Sequence, residues 1–207
     1  MSSTPSIGNE AVLLVVSAPS GTGKTSICRE VMKMFPQIGF SISHTSRSPR
    51  PGEVNGNDYF FVTRQEFETM VAREEFVEWE ENYGHLYGTS LAVLDALTAD
   101  KKDVILDVDP RGARAIKEMC PEAVSVFILP PSLEALKERL RNRGHDDEET
   151  LGVRFGNAMA EMGEYVFYDY IIINDRLTEA IDLLRSIYLA EKSRVPRRRA
   201  EIKKFFD

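Results

Sequence analysis

The sequence predicts an α/β fold in three layers: a central, mostly parallel sheet with helices on both of its faces. Apolar, β-branched runs recur at residues 11–16, 104–106, 124–129 and 170–173, and each is followed by a stretch of helical character. The first run feeds straight into Ser17-Ala18-Pro19-Ser20-Gly21-Thr22-Gly23-Lys24-Thr25, a glycine-rich turn between strand and helix. Between Phe40 and about Ala99 the texture changes to short aromatic and β-branched stretches broken by turn signals, as expected of a mixed insertion into the sheet frame.

In chain order, residues 1–9 read as a disordered tail and residues 10–207 as one domain. After the glycine-rich turn, Ile27, Val31 and Met34 fall at helical spacing from Thr25 to Phe35, and Pro36 stands where that helix should end. In the insertion, Tyr59-Phe60-Phe61-Val62 reads as a strand. Thr63 with Glu66 makes a capping box for a helix toward Arg73, and Phe76-Val77-Glu78-Trp79 reads as another strand. The sheet resumes at Val104-Ile105-Leu106 and ends in Asp107-Val108-Asp109, with Gly112 opening the next helix. Val124 to Leu129 is a further strand, and Ser132 caps a helix whose Leu133, Leu136 and Leu140 share a face. A polar gap at residues 143–150, a helix from about Glu148 to Met162, a strand at Tyr170–Ile173 and a closing helix from Leu177 to Lys192 complete the reading. The core is thus residues 10–39 and 100–207, the insertion about 40–99, and a polar, mobile lid about 139–157.

Composition excludes several classes. With 43% hydrophobic residues, 207 residues can bury one good core. A net charge of -7 argues against a broadly basic nucleic-acid surface, so anionic ligands require local basic clusters. The 2 cysteines, Cys28 and Cys120, give no disulfide framework or zinc site, and His44, His85 and His145 lack metal-ligand spacing. Each histidine reads as a loop or surface residue. No signal peptide and no membrane span is evident, and a reducing cytoplasm fits. The basic C-terminal segment with Arg194, Arg197, Arg198, Arg199, Lys203 and Lys204 reads as a solvated helix end.

The chemistry begins at the turn. Gly21 and Gly23 let the backbone curl so that successive N–H groups point at phosphate oxygens. Lys24 supplies a cation for the β- and γ-phosphates, and the Thr25 hydroxyl can ligate magnesium. Ala18 stands where the usual pattern has its first glycine. This makes the fold a phosphate-loop fold and its ligand a nucleoside triphosphate. Asp107, closing an apolar strand, is a second candidate for the metal; Asp109 is open between metal and base. Arg47 and Arg50, stiffened by the intervening Pro49, present two guanidinium forks suited to the dianionic phosphate of a monophosphate acceptor.

From Ser43 to Glu53 the chain reads S-H-T-S-R-S-P-R-P-G-E, followed by Gly56-Asn57-Asp58-Tyr59-Phe60-Phe61-Val62. With the phosphate loop, Phe76-Val77-Glu78-Trp79, Tyr87-Gly88-Thr89, Leu106-Asp107-Val108-Asp109, residues 127–132 and Ile173-Asn174-Asp175, these blocks resemble the guanylate kinase family over nearly the whole chain after the tail. The resemblance implies transfer of the γ-phosphoryl group of ATP to GMP, with magnesium, and makes the insertion a GMP-binding subdomain. It assigns Ala18 to Thr25 and Asn174 to ATP, and Ser43, Arg47, Arg50, Tyr59, Glu78, Tyr87, Thr89 and Asp109 to GMP. Lys24 and Arg47, with Arg139, Arg143 and Arg154 around the lid, are its implied catalytic cations, and Thr25 and Asp107 hold the metal. Guanine offers N1–H and the N2 amine side by side, which an ionised carboxylate can accept together. Only the resemblance selects Glu78 for this from its acidic neighbours Glu74, Glu75, Glu80 and Glu81, which otherwise read as solvent-facing decoration.

The chain departs from the family at Leu86, where tyrosine is common, and at Pro110-Arg111, where the family's glutamine is replaced. Two other readings share the frame: a non-catalytic guanylate-kinase-like binding module and a sugar-phosphate kinase. Lys24 and Thr25 speak against the first; Ser43, Glu78 and Thr89 speak against the second. Partners are ATP and GMP, with no nucleic acid or membrane, and a homo-oligomer is open.

Overall fold

The computed structural model describes residues 11–82, 84–99, 102–143 and 148–206, so the tail expected at 1–9 lies outside the described residues, as does His145. In chain order the elements are β1 (Leu13–Ser17), α1 (Lys24–Met34), β2 (Gly39–Ser41), β3 (His44–Thr45), β4 (Phe60–Phe61), α2 (Arg64–Ala72), β5 (Phe76–Asn82), β6 (His85–Ser90) and α3 (Leu91–Ala99). There follow β7 (Val104–Asp107), α4 (Pro110–Met119), β8 (Val124–Leu129), α5 (Leu133–Arg143), α6 (Glu148–Met162), a 3-10 turn at Gly163–Phe167, β9 (Tyr170–Ile173), α7 (Leu177–Lys192) and α8 (Val195–Lys203).

Among the described residues the larger sheet has the order β2-β7-β1-β8-β9, and every pairing in it is parallel. β1 pairs with β7 and β8 along its two edges and has helices packed on both faces, so Leu13 to Val16 are buried and apolar at every position. One face packs Leu14, Val16, Ile105, Val126 and Ile128 under α1 and α7; the other packs Leu13, Val15, Leu106 and Phe127 with Ile116 of α4. Each fully buried aliphatic side chain there contributes roughly 1.5–3 kcal/mol relative to exposure.

The insertion contains a second sheet of order β4-β3-β6-β5, in which β6 runs antiparallel to both β3 and β5. The Thr63–Glu66 capping box forms in full at the start of α2. The strand expected at 59–62 is shorter, Phe60–Phe61, and that expected at 76–79 is longer, running to Asn82 because β6 supplies a partner along it. The periodicity also missed β2, β3, β6, α3, α8 and the 3-10 turn. A register shift between Phe76 and Glu78 marks a β-bulge, which places Val77 against the core and still turns Glu78 toward α4.

Helix α4 opens at Pro110 rather than at Gly112, since the Asp109 side chain accepts the Gly112 N–H at 2.7 Å and proline sits in the first turn. Of the three leucines expected on one face of α5, Leu136 and Leu140 are fully buried with Leu151 and Ala158 of α6, whereas Leu133 is exposed at the helix start. His44 is not a loop residue: it lies in β3, stacked on Phe60 with ring centroids 4.8 Å apart. No helix of the described residues is long and apolar enough to cross a membrane.

The C-terminal basic segment is only partly solvated. Arg197 is buried, pairs with Glu191 at 3.1 Å and donates to the carbonyls of Ala11 and Glu122, so α8 is pinned to the segments that lead into β1 and β8 at one end of the sheet. Glu191 also receives the Tyr170 hydroxyl at 2.8 Å. Removing one partner of such a pair leaves the other buried and uncompensated. Arg197→Ala is therefore expected to lower unfolding stability by about 3 kcal/mol, while exposed Arg199→Ala shifts it by less than ~0.5 kcal/mol, both read from urea denaturation.

Candidate active site

The site is built at the carboxyl ends of β1 and β7. Their parallel register places Val16 beside Asp107, so the loop leaving β1 and the acid ending β7 emerge together. The loop turns through Gly21 and Gly23 at φ of 89° and 93°, left-handed conformations that a side chain would strain. A Cβ on Gly23 would also stand 2.7 Å from the Asn174 amide. Thr22 braces the turn by donating its hydroxyl to the Pro19 carbonyl at 2.8 Å, and the Asn174 amide donates to the Thr22 carbonyl at 2.6 Å.

Lys24 starts α1 and donates to the Val108 carbonyl at 3.0 Å, with Asp107 at 2.5 Å. Burial works against its charge, yet the Asp107 carboxylate outweighs burial and holds the ammonium above its ordinary range. Cys28, one turn on, is a buried thiol pushed up by burial and by the Asp107 charge, hence an inert core group rather than a nucleophile. Thr25 is exposed at the loop's mouth, on the same cavity as Asp107.

Across that cavity of about 350 Å³ lies the face of the insertion. Ser43, Arg47, Arg50, Tyr59, Glu78, Tyr87 and Asp109 all line it together with the loop residues Ala18 to Thr25, so residues from β1, the insertion and β7 share one space. Arg47 makes a two-pronged contact with Glu53, at 2.9 and 3.0 Å, and lies over the rings of Tyr59 and Phe61. The hydrogen bonds that Arg47 donates to Glu53 raise the guanidinium's affinity for its proton, and the same bonds hold the Glu53 carboxyl below its usual range. Glu53 also accepts the Arg50 backbone N–H at 2.7 Å, which fixes the turn carrying both arginines.

Glu78 enters from β5 and accepts the Thr89 N–H at 3.0 Å. Burial, reinforced by the charge of Asp109, pushes its carboxyl up to about 7. Thr89 itself is buried behind Glu78 and does not line the cavity. Asp109 has two tasks, lining the cavity while capping α4. Arg139 of α5 donates to the Asn174 carbonyl at 2.9 Å, and Arg154 of α6 reaches the Ser20 hydroxyl at 3.3 Å, so both sit against the phosphate loop rather than in the cavity. The side chain of Arg143 lies outside the described residues. Arg141 points away and pairs with Glu148 at 3.5 Å.

Among the site residues given no role in the sequence are Glu53, Glu80 and Gly112, and Glu161 lines the cavity with the two glutamates. Glu53 closes the arginine-rich block that carries the resemblance, six positions after Arg47, but is assigned no role of its own there. Glu80 shares the strand face of Glu78 and lines the cavity; strand alternation pointed to it, but the surrounding glutamates hid it. Gly112 has no local signal: a Cβ there would stand 3.0 Å from Cγ and Cδ of Glu78, so its bareness makes room for that carboxylate.

These features define a phosphate-loop α/β protein with a second, arginine-held anion pocket facing the loop. The comparisons narrow the class. A family model described as guanylate kinase matches residues 10–191. The guanylate kinase of Geobacter sulfurreducens is 47% identical over 188 residues, covering 91% of this chain and 93% of that protein. That of Syntrophotalea carbinolica is 47% identical over 196 residues, covering 95% and 93%. The crystal structure of guanylate kinase from Anaplasma phagocytophilum superposes with a TM-score of 0.76 at 31% identity, covering 94% of this chain and 92% of that one. The chain belongs to the guanylate kinase family.

Gly112→Ala should separate stability from site geometry. Alanine gains up to ~1 kcal/mol of helix propensity in α4, while its Cβ obliges the Glu78 side chain to shift by a few tenths of an ångström. The expected outcome is a nearly unchanged melting temperature with a Glu78 carboxyl that titrates measurably away from about 7, followed by carboxyl-carbon NMR across pH.

Proposed function

We infer that this chain is an ATP:GMP phosphotransferase that moves the γ-phosphoryl group of ATP to GMP, giving ADP and GDP. The observation that carries the reading is the single cavity in which the phosphate loop and Lys24 face Arg47, Arg50 and Glu78. In it a donor phosphate chain and an acceptor phosphate meet without any protein nucleophile, as phosphoryl transfer between two anions requires.

The roles follow from position. The loop's N–H groups hold the β- and γ-phosphates, and Lys24, already poised by Asp107 and the Val108 carbonyl, adds its charge there. Arg47, its plane fixed by Glu53, and Arg50 hold the acceptor phosphate, with the hydroxyls of Tyr59 and Tyr87 as further donors. One acceptor oxygen forms the new bond to the γ-phosphorus as the bond to the β-bridging oxygen breaks and ADP departs. Arg139, Arg154 and Arg143 would gather around the migrating group as α5 and α6 close as a lid and the insertion, residues 40–99, closes from the other side. Asn174 steadies the phosphate loop from behind in addition to its place beside ATP.

Thr25 and Asp107 are hard oxygen donors on the rim of the phosphate-loop cavity, which suits a magnesium ion. Two protein donors are too few for a cage of their own, so the ion would come with the phosphates of ATP; when bound it neutralises charge between them. The reading places the enzyme in the cytoplasm, acting on free nucleotides in guanine nucleotide synthesis and salvage.

Glu78 faces the guanine N1–H and N2 amine, with Ser43 and Asp109 around the base and Thr89 holding the Glu78 carboxylate from behind through its N–H. Only the ionised carboxylate accepts both donors, and its charged form prevails above about pH 7, so GMP binding strengthens as pH rises through that value. Between pH 8 and pH 6 the KM for GMP should rise roughly tenfold, and Glu78→Gln should abolish the part of that slope due to Glu78 while lowering kcat/KM for GMP about 100-fold and sparing the KM for ATP. Lys24→Ala should cut kcat at least ~100-fold. A coupled ADP-release assay offering GMP, AMP, UMP and CMP separately tests the whole reading; turnover with a different acceptor, or with none, would overturn it.

A further inference from the structure

The insertion is attached to the core differently on its two sides. On the β5 side the attachment is apolar: Val77, Leu94 and Leu97 join the cluster built on Leu13, Val15 and Ile116. The arm that carries Arg47, Arg50 and Tyr59 lacks such an anchor, since among the described residues none of 43–62 belongs to an apolar cluster of the core. Between that arm and α1 lies a second cavity of about 640 Å³, lined by Cys28, Arg29 and Met32 of α1 and by Gly52, Val54 and Asp58 of the arm.

An ion pair spans this gap: the Arg29 guanidinium donates to Oδ1 of Asp58 at 3.0 Å. Each partner is tied to one half of the site. Arg29 stands five positions after Lys24 on α1, the helix that the phosphate loop opens. Asp58 is fixed in its own turn, where Oδ2 accepts the Val54 N–H at 2.9 Å and the Asp58 N–H donates to the Val54 carbonyl at 3.0 Å. The next residue is Tyr59, whose carbonyl accepts the Gly56 N–H at 2.8 Å and whose ring lies 5.5 Å from the Arg47 guanidinium. A continuous chain of contacts thus runs from α1 through Asp58 and Tyr59 to Arg47. Because Arg29 is mostly exposed, the pair adds little to folding. Across a gap that packing leaves open, however, the same small energy governs where the arm rests.

We propose that Arg29 and Asp58 are positioning residues of the acceptor site, whose ion pair struts the arm bearing Arg47, Arg50 and Tyr59 at a set distance from the phosphate loop before the acceptor arrives. The proposal rests on the GMP reading of the site and adds two residues outside the set assigned to either nucleotide. An arm already held in place loses less freedom when a phosphate binds it, so the pair acts on acceptor affinity. Once both nucleotides fill the site, their phosphates hold the arm from inside, and the transfer step gains little more from the strut. A partly solvated pair shifts an equilibrium by up to about fivefold, which sets the scale of the effect.

Steady-state kinetics, with GMP varied at saturating ATP and ATP varied at saturating GMP, are compared for the wild type, Arg29→Gln, Arg29→Lys, Asp58→Asn and the double variant Arg29→Gln/Asp58→Asn. Glutamine keeps the helix propensity of arginine, and asparagine keeps an oxygen for the Val54 N–H, so each single change removes the charge pair and spares its surroundings. Arg29→Gln and Asp58→Asn are each expected to raise the KM for GMP about threefold, with kcat and the KM for ATP within about 1.5-fold. The double variant should be no worse than either single one, because the pair is already broken. Arg29→Lys, which retains a cation for Asp58, should bring the KM for GMP back to within about 1.5-fold of wild type. Arg64→Gln, which breaks exposed pairs with Glu68 and Glu81 inside the insertion, should leave all three constants unchanged. The proposal is overturned by single effects that multiply in the double variant, by a KM for ATP that rises with that for GMP, by lysine failing to rescue, or by no change in any constant. Should Asp58→Asn loosen its turn, seen as a lowered melting temperature, the comparison of Arg29→Gln with Arg29→Lys decides alone. A wild type without GMP turnover defeats the underlying GMP reading instead, an outcome distinct from an active wild type whose KM is indifferent to Arg29.

Discussion

Everything in this site depends on one register: β1 lies parallel to β7 with Val16 beside Asp107. Two strands separated by some ninety residues thereby deliver the phosphate loop and an acid to the same end of the sheet. A slip of one residue would turn every side chain of the strand to the opposite face, and the apolar character of β1 on both sides does not by itself forbid it. Other bonds tie the register down. Buried Asp103 accepts the Val12 N–H at 2.7 Å, the Tyr188 hydroxyl at 2.7 Å and the Lys192 ammonium at 2.8 Å, joining the start of β1 to the lead into β7 and to α7. The network at one end of the sheet thus holds the geometry exploited at the other.

The cations that line the cavity are held in fixed positions. Lys24 is held by Asp107 and Arg47 by Glu53. These pairs are partly solvated, so their contribution to folding is modest, and their value lies in keeping flexible side chains in place. An arriving phosphate then competes with a carboxylate for a cation that is already oriented, which lowers the ordering cost of binding. The base end of the cavity has the opposite character. Glu78, Glu80, Asp109 and Glu161 crowd there, and burial and mutual repulsion raise both Glu78 and Glu80. Acceptors at one end and arginines at the other give the cavity a charge gradient, which is the complement that the proposed GMP acceptor requires, with N–H groups on its base edge and a phosphate at its far end.

The local elements were legible because local physics decides them. Full apolar coverage marked the buried strands, the Thr63–Glu66 box marked the start of α2, and the helices at Glu148–Met162 and Leu177–Lys192 lie where spacing placed them. The reading failed where a distant partner decides. Arg197 looked like one more solvated cation, and only the fold brings Glu191 and the Ala11 carbonyl to it. Helix α3 was hidden in an insertion that otherwise reads as strands and turns, and β5 outruns its apolar residues because β6 pairs with it.

For the site, the sequence by itself determined the phosphate loop, because its glycines, lysine and threonine act through backbone torsion and local chemistry and need no remote partner. It also singled out Arg47 and Arg50 and, through resemblance, Glu78, all of which line the cavity that faces the loop. Tertiary structure alone decided that Glu80 shares that pocket while Trp79 and Glu81 face outward, that Gly112 leaves the carboxylate its space, and that Thr89 stands behind Glu78 rather than in the cavity. The physical reason is the bulge after Phe76 and the packing of β5 against α4: a run of near-identical acidic residues carries no record of which carboxylates are buried, and burial is what gives them their chemistry.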